Sequence, residues 1–174
     1  MNNEILWTKT ILSVYRYLER ISNAIDKIVK RSAFASGCLT QQNYYYNNVL
    51  SISQKIIDLS QRKITLINLK VLIDDVLKTI SKKDAQILIE RYIDCDKCKD
   101  IAQRHKLSIR TVFRRIEMAE VAFTKTIKLK GFCASKMSNF LKDEKWITNV
   151  YCRLAQKDED ICLSNCFIEK AASM

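Results

Sequence analysis

The stretch that decides the fold is CKDIAQRHKLSIRTVFRRIE, residues 98–117. Its apolar residues have the spacing of two short helices that pack against each other across a tight turn. Ser108 has the side chain of a helix N-cap and would begin the second helix. The residues predicted to form the apolar core of the pair are Ile101, Ala102, Leu107, Val112 and Ile116. The pattern therefore predicts a helix-turn-helix, whose second helix fits the major groove of DNA.

The outer face of the second helix carries side chains that can read bases. Once the core residues turn inward, Arg110, Phe113, Arg114 and Glu117 point outward at helical spacing. Arginine paired with guanine is the commonest specific contact in the major groove. Phe113 fits a thymine methyl group or packs against the leading helix, and Glu117 accepts from cytosine or pairs with Arg114. We predict base reading by these four residues, against the alternative of a solvated basic face.

A second set of residues is suited to hold the phosphate backbone. Ser108 and Thr111 lie where a helix begins, and hydroxyls and free amides there favour a phosphate, although capping alone also explains Ser108. Nearby cations would neutralise phosphates without reading sequence, so affinity would fall with salt. These predicted backbone contacts are Arg104, Lys106, Arg115, Lys125 and Lys128.

Composition favours an all-α protein with an anionic partner. The 174 residues include no proline and only two glycines, so the turns that a sheet needs are nearly absent. The net charge is +11, and residues 97–130 hold ten basic residues against three acidic ones, a local excess of +7. Such an excess attracts a polyanion, and we expect double-stranded DNA.

Other classes of protein are disfavoured. No apolar run reaches the length of a membrane span, and MNNEILWTKT lacks the order of a signal peptide, so we expect a cytoplasmic protein without a membrane partner. The pairs Cys95/Cys98 and Cys162/Cys166 could bind zinc, but packed thiols are the preferred interpretation, and no metal or cofactor is expected. His105 is the only histidine and is predicted to pack in the core. Since no catalytic constellation is visible, we expect no enzyme.

Two long amphipathic helices precede the helix-turn-helix. In residues 5–30 a heptad seam alternates steps of four and three, and from Val49 a second seam recurs every seven residues. The companion seam of the second helix is less regular, because Lys63 and Lys70 intrude on it. We predict an antiparallel hairpin, with pairing between two chains left open. The first seam comprises Trp7, Ile11, Val14, Leu18, Ile21, Ile25 and Ile28, and the second comprises Ile52, Leu59, Leu66, Ile73 and Ile80.

The remaining elements complete a division into three segments. Ser81 is predicted to cap a third helix, and Gly131 to end the helix that begins after Ser108. One amphipathic helix is predicted in the SKMSNFLKDEKWITNVYCRLAQ stretch that follows. The predicted segments are a helical hairpin (1–80), the helix-turn-helix domain (81–131) and a helical extension (132–174).

Residues 77–119 resemble region 4, the promoter-reading domain of bacterial sigma-70-type factors. Three departures stand out: His105 occupies a position usual for leucine, and Lys106 and Cys95 occupy positions where glycine is frequent, so a differently shaped turn is expected. The matching residues are Arg91-Tyr92, Asp100-Ile101-Ala102, Leu107-Ser108 and Arg110-Thr111-Val112.

A helical hairpin followed by such a domain, without a promoter-melting segment, resembles small sigma-like regulators of Gram-positive bacteria and their phages, such as the ArpU type. The resemblance implies a sequence-specific transcription regulator that acts at promoters with or near RNA polymerase. Two alternatives stay open: an accessory factor that docks on RNA polymerase, and a DNA-recognising assembly protein similar to the small subunit of phage terminases.

Overall fold

The described chain is helical throughout. The computed structural model describes residues 3–37 and 45–156, and it contains no strand in those ranges, which confirms the all-α prediction. A π-helical turn, Ile89–Ile93, directly continues the third helix. The bounds are α1 Asn3–Gly37, α2 Tyr45–Thr79, α3 Lys82–Leu88, α4 Cys98–His105, α5 Ile109–Leu129 and α6 Ala134–Phe140, followed by α7 at residues 145–156.

The chain divides into two compact units. One unit covers Tyr15–Asp74, and the other combines Met1–Val14 with Asp75–Met174. These limits differ from the predicted segments 1–80, 81–131 and 132–174. The start of α1 belongs to the same unit as the helix-turn-helix, and it is buried around more of its circumference than the single apolar seam predicts. The buried residues there are Leu6, Trp7, Thr8, Thr10, Ile11 and Leu12.

The unit of residues 15–74 is an antiparallel helical hairpin, as predicted. Lys70 binds Glu19 and Lys63 binds Asp26, each with 2.7 Å between nitrogen and oxygen. Seven residues forward along α1 therefore match seven residues backward along α2. Lys63 and Lys70, which break the apolar seam in the sequence, lie beside it and reach carboxylates of the facing helix.

The predicted seam of the hairpin holds over most of its length. Leu18 and Ile25 on α1, with Leu66 and Ile73 on α2, are buried. Ile28 departs from the prediction, since 48% of its surface is exposed. Ile21, Ile52 and Leu59 of the predicted seams are half-buried, so the seam is closed at Leu18, Ile25, Leu66 and Ile73 and is partly open between and beyond them.

The helix predicted after Ser81 is present but changes its winding. The Ser81 side chain accepts a hydrogen bond from the backbone N–H of Asp84, which confirms the cap. After Leu88 the chain adopts π-helical winding, and this shifts the face that later residues present. Within the π-helical turn Glu90 is buried, whereas Ile89 and Tyr92 are only half-buried.

The segment after α5 contains two helices, α6 and α7, where one helix was predicted. Gly131, with φ of 87°, ends α5 as predicted, and the N–H of Phe132 reaches back to the carbonyl of Ile127 at 3.1 Å. The prediction of one amphipathic helix beyond it is wrong, because a turn at residues 141–144 separates α6 from α7. Leu141 is fully buried at that turn.

Candidate nucleic-acid interface

The helix-turn-helix closes on a small apolar core. Ile101, Ala102, Val112 and Ile116, all predicted for this role, form one buried cluster that Ile87 of α3 joins. Leu107 is partly buried and packs against the cluster, together with Tyr92 and Cys98. Helices α4 and α5 are therefore held at a defined angle to each other by α3.

The turn between α4 and α5 keeps a conformation that favours glycine. Lys106 is left-handed, with φ of 54° and ψ of 43°, and caps α4 through its backbone N–H. Cys95, ahead of α4, also has a positive φ of 61°. The expectation of a differently shaped turn is thus wrong. The two positions where the sequence departs from glycine are the positive-φ non-glycine residues of the described chain.

The start of α5 is capped by hydroxyls. Ser108 accepts a hydrogen bond from the backbone N–H of Thr111 at 3.1 Å. The hydroxyls of Ser108 and Thr111 also share a hydrogen bond, with 2.7 Å between their oxygens. Capping by Ser108 is therefore present, and both hydroxyls lie at the helix terminus where backbone amides point outward.

The four predicted base-reading residues share the outer face of α5. Arg110, Arg114 and Glu117 are exposed, and 52% of the surface of Phe113 is exposed, so its ring is turned outward from the core. Within the described ranges no ion pair involves Arg110 or Arg114, and Glu117 does not pair with Arg114. Both guanidinium groups are consequently available to an external anion or base edge.

The predicted phosphate contacts fall into two groups. Lys106, Arg115 and Lys125 are exposed. Arg104 instead binds Asp96 at 2.8 Å and Glu90 at 3.4 Å, and Lys128 binds Glu4 at 2.8 Å. A phosphate would have to compete with these carboxylates, so Arg104 and Lys128 are the weaker candidates.

A buried carboxylate that the sequence reasoning missed supports α4. Glu90 accepts hydrogen bonds from Nε2 of His105 at 2.9 Å and from Gln86 at 3.0 Å. Burial alone would raise the pKa of Glu90, but these hydrogen bonds and the charges of His105 and Arg104 hold that pKa below its usual value. His105 is half-buried and its ring is hydrogen-bonded to Glu90, so the prediction that His105 packs in the core is wrong.

A second missed set braces the far half of α5. Glu120 is buried, accepts a hydrogen bond from the Tyr92 hydroxyl and lies 3.7 Å from Nζ of Lys9. Burial, together with the charge and hydrogen bond of Glu120, raises the pKa of Tyr92 well above its ordinary value. The sequence contains one signal for this, since position 120 shares a helix face with Ile116 and Phe123.

Two further findings concern metal binding and membrane spans. Among the residues in view, no group of three or more His, Cys, Asp or Glu side chains is placed to hold a metal ion. Cys162 and Cys166 lie outside the described residues. None of the described helices is long and apolar enough to cross a membrane.

Comparison of the chain with protein-family models, with curated proteins and with solved structures finds no match.

Proposed function

We propose that this protein is a sequence-specific regulator of transcription that binds double-stranded DNA through α5. The observation that carries the proposal is the outer face of α5, where Arg110 and Arg114 lie one turn apart, exposed and without an ion pair in the described chain. Arginines placed in this way on the second helix of a helix-turn-helix reach base edges in the major groove.

Charge and rigidity support the same proposal. The local excess of +7 around this helix supplies the sequence-independent attraction to phosphates. The buried cluster around Ile101 and Val112 and the cap at Ser108 hold the proposed reading face in place. A preformed face loses little conformational entropy when it binds.

The backbone at Lys106 and Cys95 supports the resemblance to region 4 of sigma factors. Both positions keep the positive φ that glycine adopts readily, although neither is glycine. The two departures from glycine therefore leave the backbone in a conformation that glycine would also adopt, and they do not argue against the resemblance. We therefore place the protein among small sigma-like regulators of bacteria or phages, acting at promoters with or near RNA polymerase.

Docking on RNA polymerase is a second candidate function. Beyond the proposed reading face, Met118 and Val121 on α5 are exposed apolar residues, with 62% and 40% of their surfaces accessible. Apolar side chains gain from burial against a protein rather than against phosphates. This surface would suit an accessory factor that binds polymerase and DNA together.

Selection of bound sequences from random DNA at physiological salt tests both candidates. We expect an enriched motif with the protein alone. A motif that appears only when RNA polymerase is added would favour the accessory factor. Enrichment of no motif in either condition would overturn the regulator, and a ring-shaped oligomer on enriched DNA would support an assembly protein of the terminase type instead.

A further inference from the structure

We propose that the face of α1 opposite its seam with α2 binds the phosphate backbone of double-stranded DNA, as a second contact surface besides α5. This surface, here called the basic stripe, consists of Arg20, Lys27, Lys30 and Arg31, which are all exposed. The phosphate contact does not depend on base reading by α5. The choice of DNA as the duplex rests on the proposed function.

The four residues of the basic stripe share one side of α1. At about 100° per residue they fall within an arc of roughly 100°, and the buried seam residues Leu18 and Ile25 lie on the opposite side of the helix. Arg16, one turn before Arg20, continues the same line, and its guanidinium lies 5.2 Å from the centre of the Tyr17 ring. The line of cations is therefore about 22 Å long.

The acidic residues of this part of α1 are neutralised from the facing helix. Lys70 binds Glu19 at 2.7 Å, and Lys63 binds both carboxylate oxygens of Asp26 at 2.7 and 2.8 Å. Lys30, four residues after Asp26, therefore meets a carboxylate that already has a cation. No ion pair in the described chain involves the four residues of the basic stripe, so their charge is uncompensated.

The charge of the basic stripe opposes the stability of the helix that carries it. Lys27 has Lys30 and Arg31 three and four residues after it, and the uncharged Asn23 and Ala24 at the same distances before it. Like charges at this spacing destabilise a helix, whereas a solvated face usually alternates charges of both signs. The helix dipole favours cations only in the last turn, and the last turn of α1 has none. An external polyanion would relieve the repulsion.

Duplex DNA fits the basic stripe better than a single strand or a membrane does. A duplex carries one phosphate charge per about 1.7 Å of its axis, so the stripe can face roughly thirteen of them. Residues 20–31 contain no aromatic side chain, and stacking on aromatic rings supplies much of the affinity for a single strand. A helix that lies on a membrane needs a broad apolar face, and that of α1, at Leu18 and Ile25, is buried, although Phe34 at the end of the stripe is exposed.

The first test measures binding of the full-length protein to a random-sequence DNA duplex by anisotropy, between about 50 and 200 mM salt. Lys27→Gln/Arg31→Gln should reduce the slope of log affinity against log salt by about 1.8, the value for two phosphate contacts. Lys142→Gln/Lys145→Gln, the matched control, removes the same charge from exposed residues outside α1 and should keep the wild-type slope. An unchanged slope for the stripe variant, or an equal fall in both variants, would overturn the proposal.

Two further arms of the same experiment identify the partner. They use an RNA duplex of the same sequence and vesicles that contain anionic lipid, each with wild type and the stripe variant. We expect the stripe variant to lose affinity for the DNA duplex. A loss confined to RNA or to vesicles would overturn DNA as the partner. Failure of base reading by α5 would show separately, as the absence of a motif in the selection from random DNA.

The second test is the thermal stability of the protein without nucleic acid. Lys27→Gln removes the repulsion between Lys27 and both Lys30 and Arg31, so it should raise the Tm by about 1–3 °C. Lys142→Gln should leave the Tm unchanged. A lower Tm for Lys27→Gln would show that the lysine serves the hairpin itself, and it would overturn the assignment of the basic stripe to an external polyanion.

Discussion

Thr8 and Thr124, which are 116 residues apart in the sequence, share a hydrogen bond of 2.8 Å inside the core. The hydroxyl of Thr124 donates to the carbonyl of Glu120 at 2.7 Å, so Thr8 must be the donor to Thr124. Glu4, one helical turn before Thr8 on α1, binds Lys128, one helical turn after Thr124 on α5. The first turns of α1 therefore lie antiparallel to the far half of α5, the helix that presents the proposed reading face.

Thr8→Val should lower the free energy of unfolding by about 1 kcal/mol, because it removes one buried hydrogen bond while preserving shape. Chemical denaturation measures the change. Thr79→Val is the matched control: its hydroxyl is exposed and donates only to Asp75 within its own helix, so its effect should stay within about 0.5 kcal/mol. Equal losses in the two variants would contradict a role for the Thr8–Thr124 contact.

Lys106→Gly should stabilise the protein by about 0.5–1 kcal/mol. The left-handed conformation costs a non-glycine residue about 1–2 kcal/mol, and the extra flexibility of glycine in the unfolded chain returns part of that gain. Gln103→Gly, three residues earlier in α4, should instead destabilise by about 1 kcal/mol. Thermal or denaturant unfolding measures the change. If Lys106→Gly destabilises the protein, the lysine side chain contributes more stability than its left-handed backbone costs.

Glu90→Gln should change how stability depends on pH. The folded-state pKa of Glu90 is lowered, so its carboxylate stabilises the fold above the unfolded pKa and loses that contribution as pH falls through the folded pKa. We expect the variant to be about 1–2 kcal/mol less stable at neutral pH, and the difference to vanish in acid. Denaturant titrations at several pH values measure it.

Glu117→Gln is the control for this pH dependence, because Glu117 is exposed. It should follow the wild type at every pH. A difference between Glu90→Gln and wild type that stays constant down to acidic pH would contradict the assignment to the carboxylate that His105 and Gln86 hold.

Arg114→Ala should weaken binding to the selected sequence by roughly 1–3 kcal/mol and relax specificity at one position, while binding to random DNA changes little. Lys125→Ala should weaken both kinds of DNA alike and reduce the slope of affinity against salt by about one phosphate contact. Anisotropy titrations over a range of salt measure both. Equal losses on both DNAs for Arg114→Ala would remove its base-reading role.

Local features of the fold were predictable because they depend on residues within one or two helical turns. The caps at Ser81 and Ser108 and the terminator at Gly131 are such features, and so is the apolar spacing that places Ile101 against Val112. The antiparallel hairpin also followed from spacing, although the sequence could not show that its lysines reach carboxylates of α1.

Other features depend on side chains that approach only in three dimensions. The carboxylates Glu90 and Glu120 are buried, although their burial depends on partners that are distant in the sequence: His105 binds Glu90, and Tyr92 and Lys9 approach Glu120. Leu88 and Leu141 are fully buried next to the π-helical turn and in the turn at residues 141–144, two features that no local pattern predicted.

The sequence by itself determined the helical class, the helix-turn-helix and the outward set that includes Arg110 and Arg114, because periodicity and capping are properties of neighbouring residues. Only the tertiary structure decided that the chain's first turns brace α5 through Thr8 and Thr124, and that Lys106 keeps a left-handed backbone. A contact across 116 residues has no local pattern. The stability of such a contact depends on the burial of the side chains around it, and that burial exists only once the unit has folded.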